Sequence, residues 1–153
     1  MERVCAAVGV TSRVHNGQHV IMIDVDGHRS VRNMQRELRT LFPRHHIFIF
    51  QSRKGYHVIV PHIYQFKDAY DKLGAGFAAG LEDWEHCFIG YERGYWVLRE
   101  FGKYKDQDVI PVACYLHPGQ TRRYSPSHLL FYARMFGFRI ESDFNMEMVM
   151  YGC

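Results

Sequence analysis

The chain has 153 residues, which is enough for a single domain, residues 1–153, that folds without a disulfide or metal to hold it together. Nearly half of the residues are hydrophobic, which excludes a largely disordered chain. No apolar run reaches the roughly 18 residues of a membrane span, so we expect no membrane association. The net charge of +3 is compatible with a polyanionic partner but does not indicate one.

The termini and cysteines bear on the compartment. The first ten residues contain too short an apolar region for a secretory signal peptide. Four cysteines show no C-x-x-C pairing and are typical of buried or free thiols in a reducing compartment, so we expect a cytoplasmic protein: Cys5, Cys87, Cys114 and Cys153. A zinc site on Cys87 and His86 would need distant partners and is not favoured.

The first third of the chain predicts a buried strand followed by a helix. Residues 4–10 fit a strand or a helix, whereas residues 19–25 are apolar and predict a strand covered on both faces. Ser30 can cap a helix that Pro43 ends. Its apolar face consists of Val31, Met34, Leu38 and Leu41. Four arginines lie largely off that face, and we interpret them as solvated: Arg29, Arg32, Arg36 and Arg39.

The rest of the chain mixes strands and helices. We predict strands at 47–50, 57–60, 95–99 and 109–116, helices at 63–73, 84–91 and 126–136, a loop or close backbone approach at 73–80, and a closing hairpin of 138–141 with 146–150. Pro61 should end the strand that precedes it. Because no strict βαβ repeat occurs, the pattern indicates an α+β fold with a mainly antiparallel sheet flanked by helices.

Two carboxylates leave the strand at 19–25 together. Asp24 and Asp26 lie two residues apart, so they point to the same side of the strand. Like charges this close repel unless a cation lies between them, and a hard divalent ion such as Mg²⁺ or Mn²⁺ suits carboxylate oxygens. A surface turn is the simpler explanation for an isolated D-x-D-G, because Asp and Gly are common in turns.

A second polar motif, Ser52-Arg53-Lys54-Gly55-Tyr56-His57, separates the strands at 47–50 and 57–60. Gly55 permits a tight turn whose backbone N–H groups can bind an anion. A serine hydroxyl, an arginine and a lysine add donors and positive charge at the tip. His57 can donate a hydrogen bond to a phosphate oxygen. Taken alone, the motif is better explained as an ordinary hairpin loop with a hydrogen-bonded histidine.

Together, in this order and at this separation, Asp24-Val25-Asp26 and the motif at 52–57 resemble two motifs of the archaeo-eukaryotic primase superfamily of primases and primase-polymerases. The resemblance covers roughly residues 18–105. It implies a primase-polymerase-like catalytic core and a template-dependent nucleotidyltransferase that uses two Mg²⁺ or Mn²⁺ ions. It also implies a single-stranded DNA template, NTP or dNTP as substrate, and an association with a helicase or another replication protein.

The family's third motif, a hydrophobic residue followed by Asp, has no clear counterpart. Asp83 is favoured because it follows the apolar Leu81 and precedes a short helix and a strand. Other carboxylates could replace it: Glu82, Glu85, Asp68, Asp71, Asp106 and Asp108. The resemblance thus implies catalytic and metal-binding roles for Asp24, Asp26 and Asp83. It implies nucleotide binding by Ser52, Arg53, Lys54, Gly55, His57, Arg99 and Lys103.

Two other functions remain open from the sequence. A degenerate member of the same fold would bind single-stranded nucleic acid or a nucleotide without catalysis. A Rep-type nicking endonuclease is the more distant possibility, suggested by His45, His46 and Tyr104. The His-hydrophobic-His triplet that such an enzyme needs is absent from the sequence.

Overall fold

The computed structural model describes residues 7–102, 108–119, 121–139 and 147–151, which form two β-sheets, four α-helices and a short 3-10 helix at His15–Gly17. The α+β class is therefore confirmed. No helix in the described ranges has the length and apolar character needed to cross a membrane. The elements are β1 (Ala7–Thr11), β2 (Arg13–Val14), β3 (Gln18–Asp26), α1 (Val31–Leu41), β4 (Ile47–Gln51), β5 (Gly55–Gln65), α2 (Phe66–Ala78), α3 (Trp84–Arg93), β6 (Val97–Phe101), β7 (Ile110–Tyr115), α4 (Pro126–Met135) and β8 (Met148–Tyr151).

The larger sheet has five strands in the order β2-β3-β5-β4-β7, and the smaller has three in the order β6-β1-β8. Every pairing between these strands is antiparallel. Side chains from α1, α2 and α3 form one buried cluster with one face of the five-stranded sheet. Side chains from the three-stranded sheet and α4 form a second cluster with its other face. The larger sheet is thus covered on both sides.

Strand β3 lies between these two clusters, as its unbroken apolar run predicts. Ile21, Ile23 and Val25 pack in the cluster that contains α1 and α2. Val20 and Met22 pack in the other cluster. Because side chains alternate along a strand, the next even-numbered positions, 24 and 26, belong to the face toward the smaller sheet. Burial of the strand on both faces fixes which way these two carboxylates point.

Strand β5 corrects one prediction, because it continues through Pro61 to Gln65 instead of ending there. The β3–β5 register shifts at this point, since Ile21 pairs with Val60 whereas His19 pairs with Tyr64. Such a bulge leaves extra residues outside the ladder, and a proline without an N–H is tolerated there.

Three other boundaries also differ from the prediction. Helix α2 extends to Ala78, so the proposed loop at 73–80 is mostly helical. Gly76 is buried, but a Cβ there would lie 3.5 Å from the Cβ of Glu82, an ordinary van der Waals contact, so no close backbone approach requires this glycine. The strand predicted from residue 95 begins at Val97. The last strand, β8, pairs with β1, and Phe138, which should have started a closing hairpin, is not in a strand.

Several sequence signals act as expected. The Ser30 hydroxyl accepts a hydrogen bond from the Asn33 N–H at 3.3 Å and caps α1. Gly94 follows α3 in the left-handed region at φ 97°. Of the cysteines, Cys87 is buried and Cys114 is half-buried, and both are free thiols. The other two, at positions 5 and 153, lie outside the described residues.

Candidate functional site

The two sequence motifs meet on adjacent strands. In the antiparallel pairing of β3 and β5, Asp24 is directly opposite His57 and Asp26 is directly opposite Gly55. Residues directly opposite each other in such a pair place their side chains on the same face of the sheet. The His57 Nε2 atom lies 3.9 Å from the Asp24 Oδ1 atom. Asp24 and His57, which are 33 positions apart in sequence, therefore share one site.

The backbone of Asp24 is held by the segment that precedes α3. The Asp24 N–H donates to the Glu82 Oε1 atom at 2.9 Å. The Asp24 carbonyl accepts from the Asp83 N–H at 2.8 Å. Strand β2 pairs with β3 only at residues 18–19, so residues 82–83 satisfy the exposed edge of β3 where another strand would otherwise pair. The position of Asp24 therefore depends on this segment.

Glu82 is a buried carboxylate, with 4% of its surface exposed, and it also holds His86 of α3. The His86 Nδ1 atom lies 3.0 Å and 2.9 Å from the two carboxylate oxygens of Glu82. Burial raises the pKa of Glu82, against the opposing effects of His86 and the Asp24 N–H. Burial would lower the pKa of His86, but the Glu82 carboxylate outweighs it and raises that pKa. The two side chains form a buried acid–imidazole pair.

A second buried acid–imidazole pair reaches Asp24 from the facing sheet. Glu100 of β6 is fully buried, and its Oε1 atom accepts from the His57 Nδ1 atom at 3.0 Å. Burial would lower the pKa of His57, but the carboxylates of Glu100 and Asp24 outweigh burial and raise it above its ordinary value. Because the His57 Nδ1 atom is hydrogen-bonded to Glu100, the Nε2 atom of the same ring is directed toward Asp24. His57 is thus poised to donate from Nε2.

The turn that joins β4 and β5 is tied together and to the end of β3. Ser52 and Gly55 exchange two hydrogen bonds, from the Ser52 N–H to the Gly55 carbonyl at 2.9 Å and from the Gly55 N–H to the Ser52 hydroxyl at 3.2 Å. The Gly27 N–H donates to the Lys54 carbonyl at 2.8 Å. A Cβ at position 55 would overlap the Val25 carbonyl, so this glycine is required by close strand approach.

These features border a cavity of about 580 Å³. Seven of the residues that the sequence indicated line it: Asp24, Ser52, Arg53, Lys54, His57, Arg99 and Asp108, the last as an alternative third carboxylate. Ala7, Val97, Leu98 and Val109 complete the wall. Asp108 pairs with the Arg99 guanidinium at 2.9 Å. The cavity wall therefore holds two carboxylates, Asp24 and Asp108, and three cations, of which Arg99 is paired with Asp108. This composition suits a phosphate that carries a cation.

The other indicated residues stand differently. Asp26 is exposed at the end of β3 and Asp83 begins α3 as its N-cap, and the cavity lining includes neither. Asp83 meets Asp24 through its backbone. Lys103 lies outside the described residues. Within the described ranges, no three His, Cys, Asp or Glu side chains are grouped closely enough to hold a metal ion. The metal site stays a prediction.

Sequence reasoning missed Glu100, and it considered His86 only as a zinc ligand beside Cys87. Glu100 lies two residues after Leu98, so both side chains are on the buried face of β6 while Arg99 between them is exposed. A glutamate at such a position has to be paired. That alternation was the available signal. His86 shows no such pattern, because its role depends on where α3 packs. Comparison with known proteins adds no relative: no family model, no curated protein and no solved structure matches the chain.

Proposed function

We propose that this chain is a template-dependent nucleotidyltransferase of the primase-polymerase type, acting on NTP or dNTP along a single-stranded DNA template with Mg²⁺ or Mn²⁺. One observation carries the proposal. Asp24 and His57 lie opposite each other on adjacent strands, at a cavity whose wall also holds Arg53, Lys54 and Arg99. The resemblance of the two motifs to those of primase-polymerases gives this arrangement its functional interpretation.

The chemistry of the donors fits a metal-bound nucleoside triphosphate. Asp24 and Asp26 supply carboxylate oxygens on one face of β3, which suits a hard divalent cation. When bound, two such ions would activate the attacking 3′-hydroxyl and stabilise the leaving pyrophosphate. Arg53 and Lys54 supply positive charge for the phosphates. With its raised pKa, His57 donates from Nε2 to a phosphate oxygen.

For the third carboxylate, Glu100 is a stronger candidate than Asp83. The Glu100 carboxylate contacts the imidazole that faces Asp24, whereas Asp83 contacts Asp24 with its backbone N–H. One Glu100 oxygen, Oε2, is buried without a hydrogen-bond partner among the described residues. Glu100 is fully buried and the cavity lining does not include it, so it acts on the site as the positioning residue of His57.

The test is incorporation of labelled NTPs or dNTPs on a single-stranded template, with Mg²⁺ or Mn²⁺ and with or without a primer. We expect incorporation by the wild-type protein and its loss, by about a hundredfold or more, in Asp24→Asn. Asp68→Asn is the matched control, because Asp68 is an exposed carboxylate on α2 away from this cavity. Absence of wild-type incorporation under every condition would refute catalysis.

A second candidate, a nucleotide- or single-strand-binding module without catalysis, is favoured by one observation. His57 already provides Asp24 with a cationic neighbour, and no three-residue metal group occurs in the described part of the chain. A module of this kind would bind labelled NTP equally well in EDTA. A polymerase site would bind it more tightly with Mg²⁺ or Mn²⁺, so metal titration of NTP binding separates the two.

The Rep-type endonuclease loses its support in the described residues. His45 is engaged by the Pro43 carbonyl and the Tyr64 hydroxyl, each at 2.6 Å. The His46 Nδ1 atom accepts from the His117 N–H at 3.0 Å. Both imidazoles are therefore parts of the packing between β4, β5 and the segment after β7. We do not propose this function.

A further inference from the structure

Helix α3 exposes a row of large apolar side chains next to the end of α2. Phe77 is 48% exposed, Trp84 51%, Phe88 41% and Ile89 53%. Ring centroids are 5.6 Å apart between Phe77 and Trp84 and 5.4 Å apart between Trp84 and Phe88. These contacts join Phe77, Trp84 and Phe88, and Ile89 follows Phe88 on the helix. We term the four exposed residues the α3 patch. Large exposed apolar patches on soluble proteins mark interaction sites.

In the described part of the chain, the packing of α3 uses the α3 patch only where the Trp84 ring contacts Phe77 of α2. The helix is buried through Cys87 and Gly90. Gly90 lies against the indole of Trp96 so closely that a Cβ would overlap it. By contrast, Trp84, Phe88 and Ile89 of α3 are each 41–53% exposed, and so is Phe77 of α2. The apolar character of this face is thus not explained by the folding of the chain itself.

Acidic side chains flank the α3 patch. Glu85 and Glu92 are exposed, and they lie three or four residues from Phe88 and Ile89, which puts them on the same side of the helix. Neither glutamate forms an ion pair within the ranges that the structure describes. A phosphate backbone would be repelled here, which argues against base stacking of nucleic acid on these rings. A basic and apolar partner is complementary to this surface.

We propose that the α3 patch binds an amphipathic helix of a partner protein, one with apolar side chains on one face and lysine or arginine beside them. Its apolar face would cover Trp84 and Phe88, and its cations would pair with Glu85 and Glu92. Helices bind apolar surfaces in this way through residues spaced three and four apart. Because Asp83 donates to the Asp24 carbonyl, such a partner would dock directly beside the candidate site.

The experiment titrates the protein into two labelled synthetic peptides and follows fluorescence anisotropy. Both peptides are amphipathic helices of about five turns with the same leucines, and their polar positions are lysine in one and glutamate in the other. We expect the wild-type protein to bind the lysine peptide at least about tenfold more tightly. Glu85→Lys with Glu92→Lys should reverse the preference, which a non-specific attraction to leucine would not do.

Phe88→Asp should abolish binding of the lysine peptide, whereas Phe138→Asp should not. Phe138 is a matched control, because it is a phenylalanine 48% exposed outside the α3 patch. Equal binding of both peptides, or no binding, overturns the proposal. Two further results would also overturn it: loss of oligothymidine binding in Phe88→Asp, which would indicate a nucleic-acid surface, and concentration-dependent self-association removed by that substitution, which would indicate a second copy.

Discussion

The contact between Glu100 and His57 gives the sharpest test of the site's electrostatics. Glu100→Gln keeps the size of the side chain and an oxygen that can accept from the His57 Nδ1–H, but it removes the charge. Because the two carboxylates outweigh burial in setting the pKa of His57, loss of one should drop that pKa toward or below 6.5. The imidazole would then be uncharged at neutral pH.

The expected loss of stability follows from the change in the hydrogen bond. A hydrogen bond to a charged group contributes about 1.5–3 kcal/mol and one between neutral groups about 0.5–1.5 kcal/mol. Glu100→Gln should therefore lower the free energy of unfolding by about 1–2 kcal/mol where His57 is protonated in the wild-type protein. The sign of the pH dependence is fixed by the direction of the pKa shift.

A histidine whose pKa is raised on folding stabilises the protein fully below its unfolded pKa, 6.5, and loses that contribution as pH rises through the folded pKa. The stability difference between wild-type protein and Glu100→Gln should thus be largest in mildly acidic solution and shrink toward alkaline pH. Urea denaturation at several pH values, without added metal, measures it. NMR titration of the His57 ring nitrogens reports the pKa directly.

The matched control is Glu37→Gln. Glu37 pairs with Arg29 at 3.5 Å on the surface, and such pairs contribute about 0–1 kcal/mol. We expect a small effect that does not change with pH. A stability difference for Glu100→Gln that is constant or grows toward alkaline pH would show that the Glu100 carboxylate does not hold a charged His57. The proposed donation from His57 to phosphate would then lose its basis.

Three further predictions concern the supports of the site. Glu82→Ala should lower the free energy of unfolding by about 3–5 kcal/mol, because it leaves the buried His86 imidazole unpaired. Asp83→Asn should change it by less than about 0.5 kcal/mol. Urea denaturation measures both, and equal effects would contradict the prediction. Gly55→Ala should cost about 3 kcal/mol or more through overlap with a neighbouring carbonyl, whereas Gly74→Ala, in open space on a helix, should gain up to about 1 kcal/mol; thermal unfolding distinguishes them. Burial is the main reason that the pKa of His62 is lowered to about 3, so the neutral imidazole stabilises the fold fully above pH 6.5 and progressively less toward pH 3. The loss of unfolding free energy in His62→Gln should therefore shrink as the pH falls over that range. A loss that grows toward low pH would contradict this prediction.

The strands of the site could be predicted because their patterns are local. The apolar run of β3 and the cap at Ser30 depend on neighbours in sequence, and both appear as expected. The prediction that Pro61 ends its strand was wrong, because the β3–β5 register shifts there and no N–H is needed at that position. Such a bulge has no signature in the sequence of one strand. The helix was not predicted to continue through Gly76, because α2 packs into the core through Ala69 and Leu73 and such tertiary packing overrides the weak helix propensity of glycine.

The residues that complete the site could not be predicted in the same way. Glu82 and Glu100 reach it from different elements, one from the segment that covers the edge of β3 and one from the facing sheet. Which of several carboxylates does so depends on how these elements pack, and sequence order gives no such information. Asp83 was favoured because it follows the apolar Leu81 and precedes a helix and a strand. The side-chain contacts with Asp24 and His57 are instead made by Glu82, one of the alternatives, and by Glu100.

The spacing shared by the two motifs has a structural reason. In an antiparallel pair, two positions on the same face of one strand, two residues apart, face two positions with that spacing on the other. Asp24 is therefore opposite His57, and Asp26 is opposite Gly55. Gly55 has to lack a Cβ because the Val25 carbonyl fills that space, which also leaves the sheet surface opposite Asp26 clear of a side chain. The D-x-D and G-x-H motifs are thus cross-strand partners in the β3–β5 pairing, and a shift of register would break this alignment. A substitution that moves this register should abolish ligand binding at the cavity even where every polar side chain is retained.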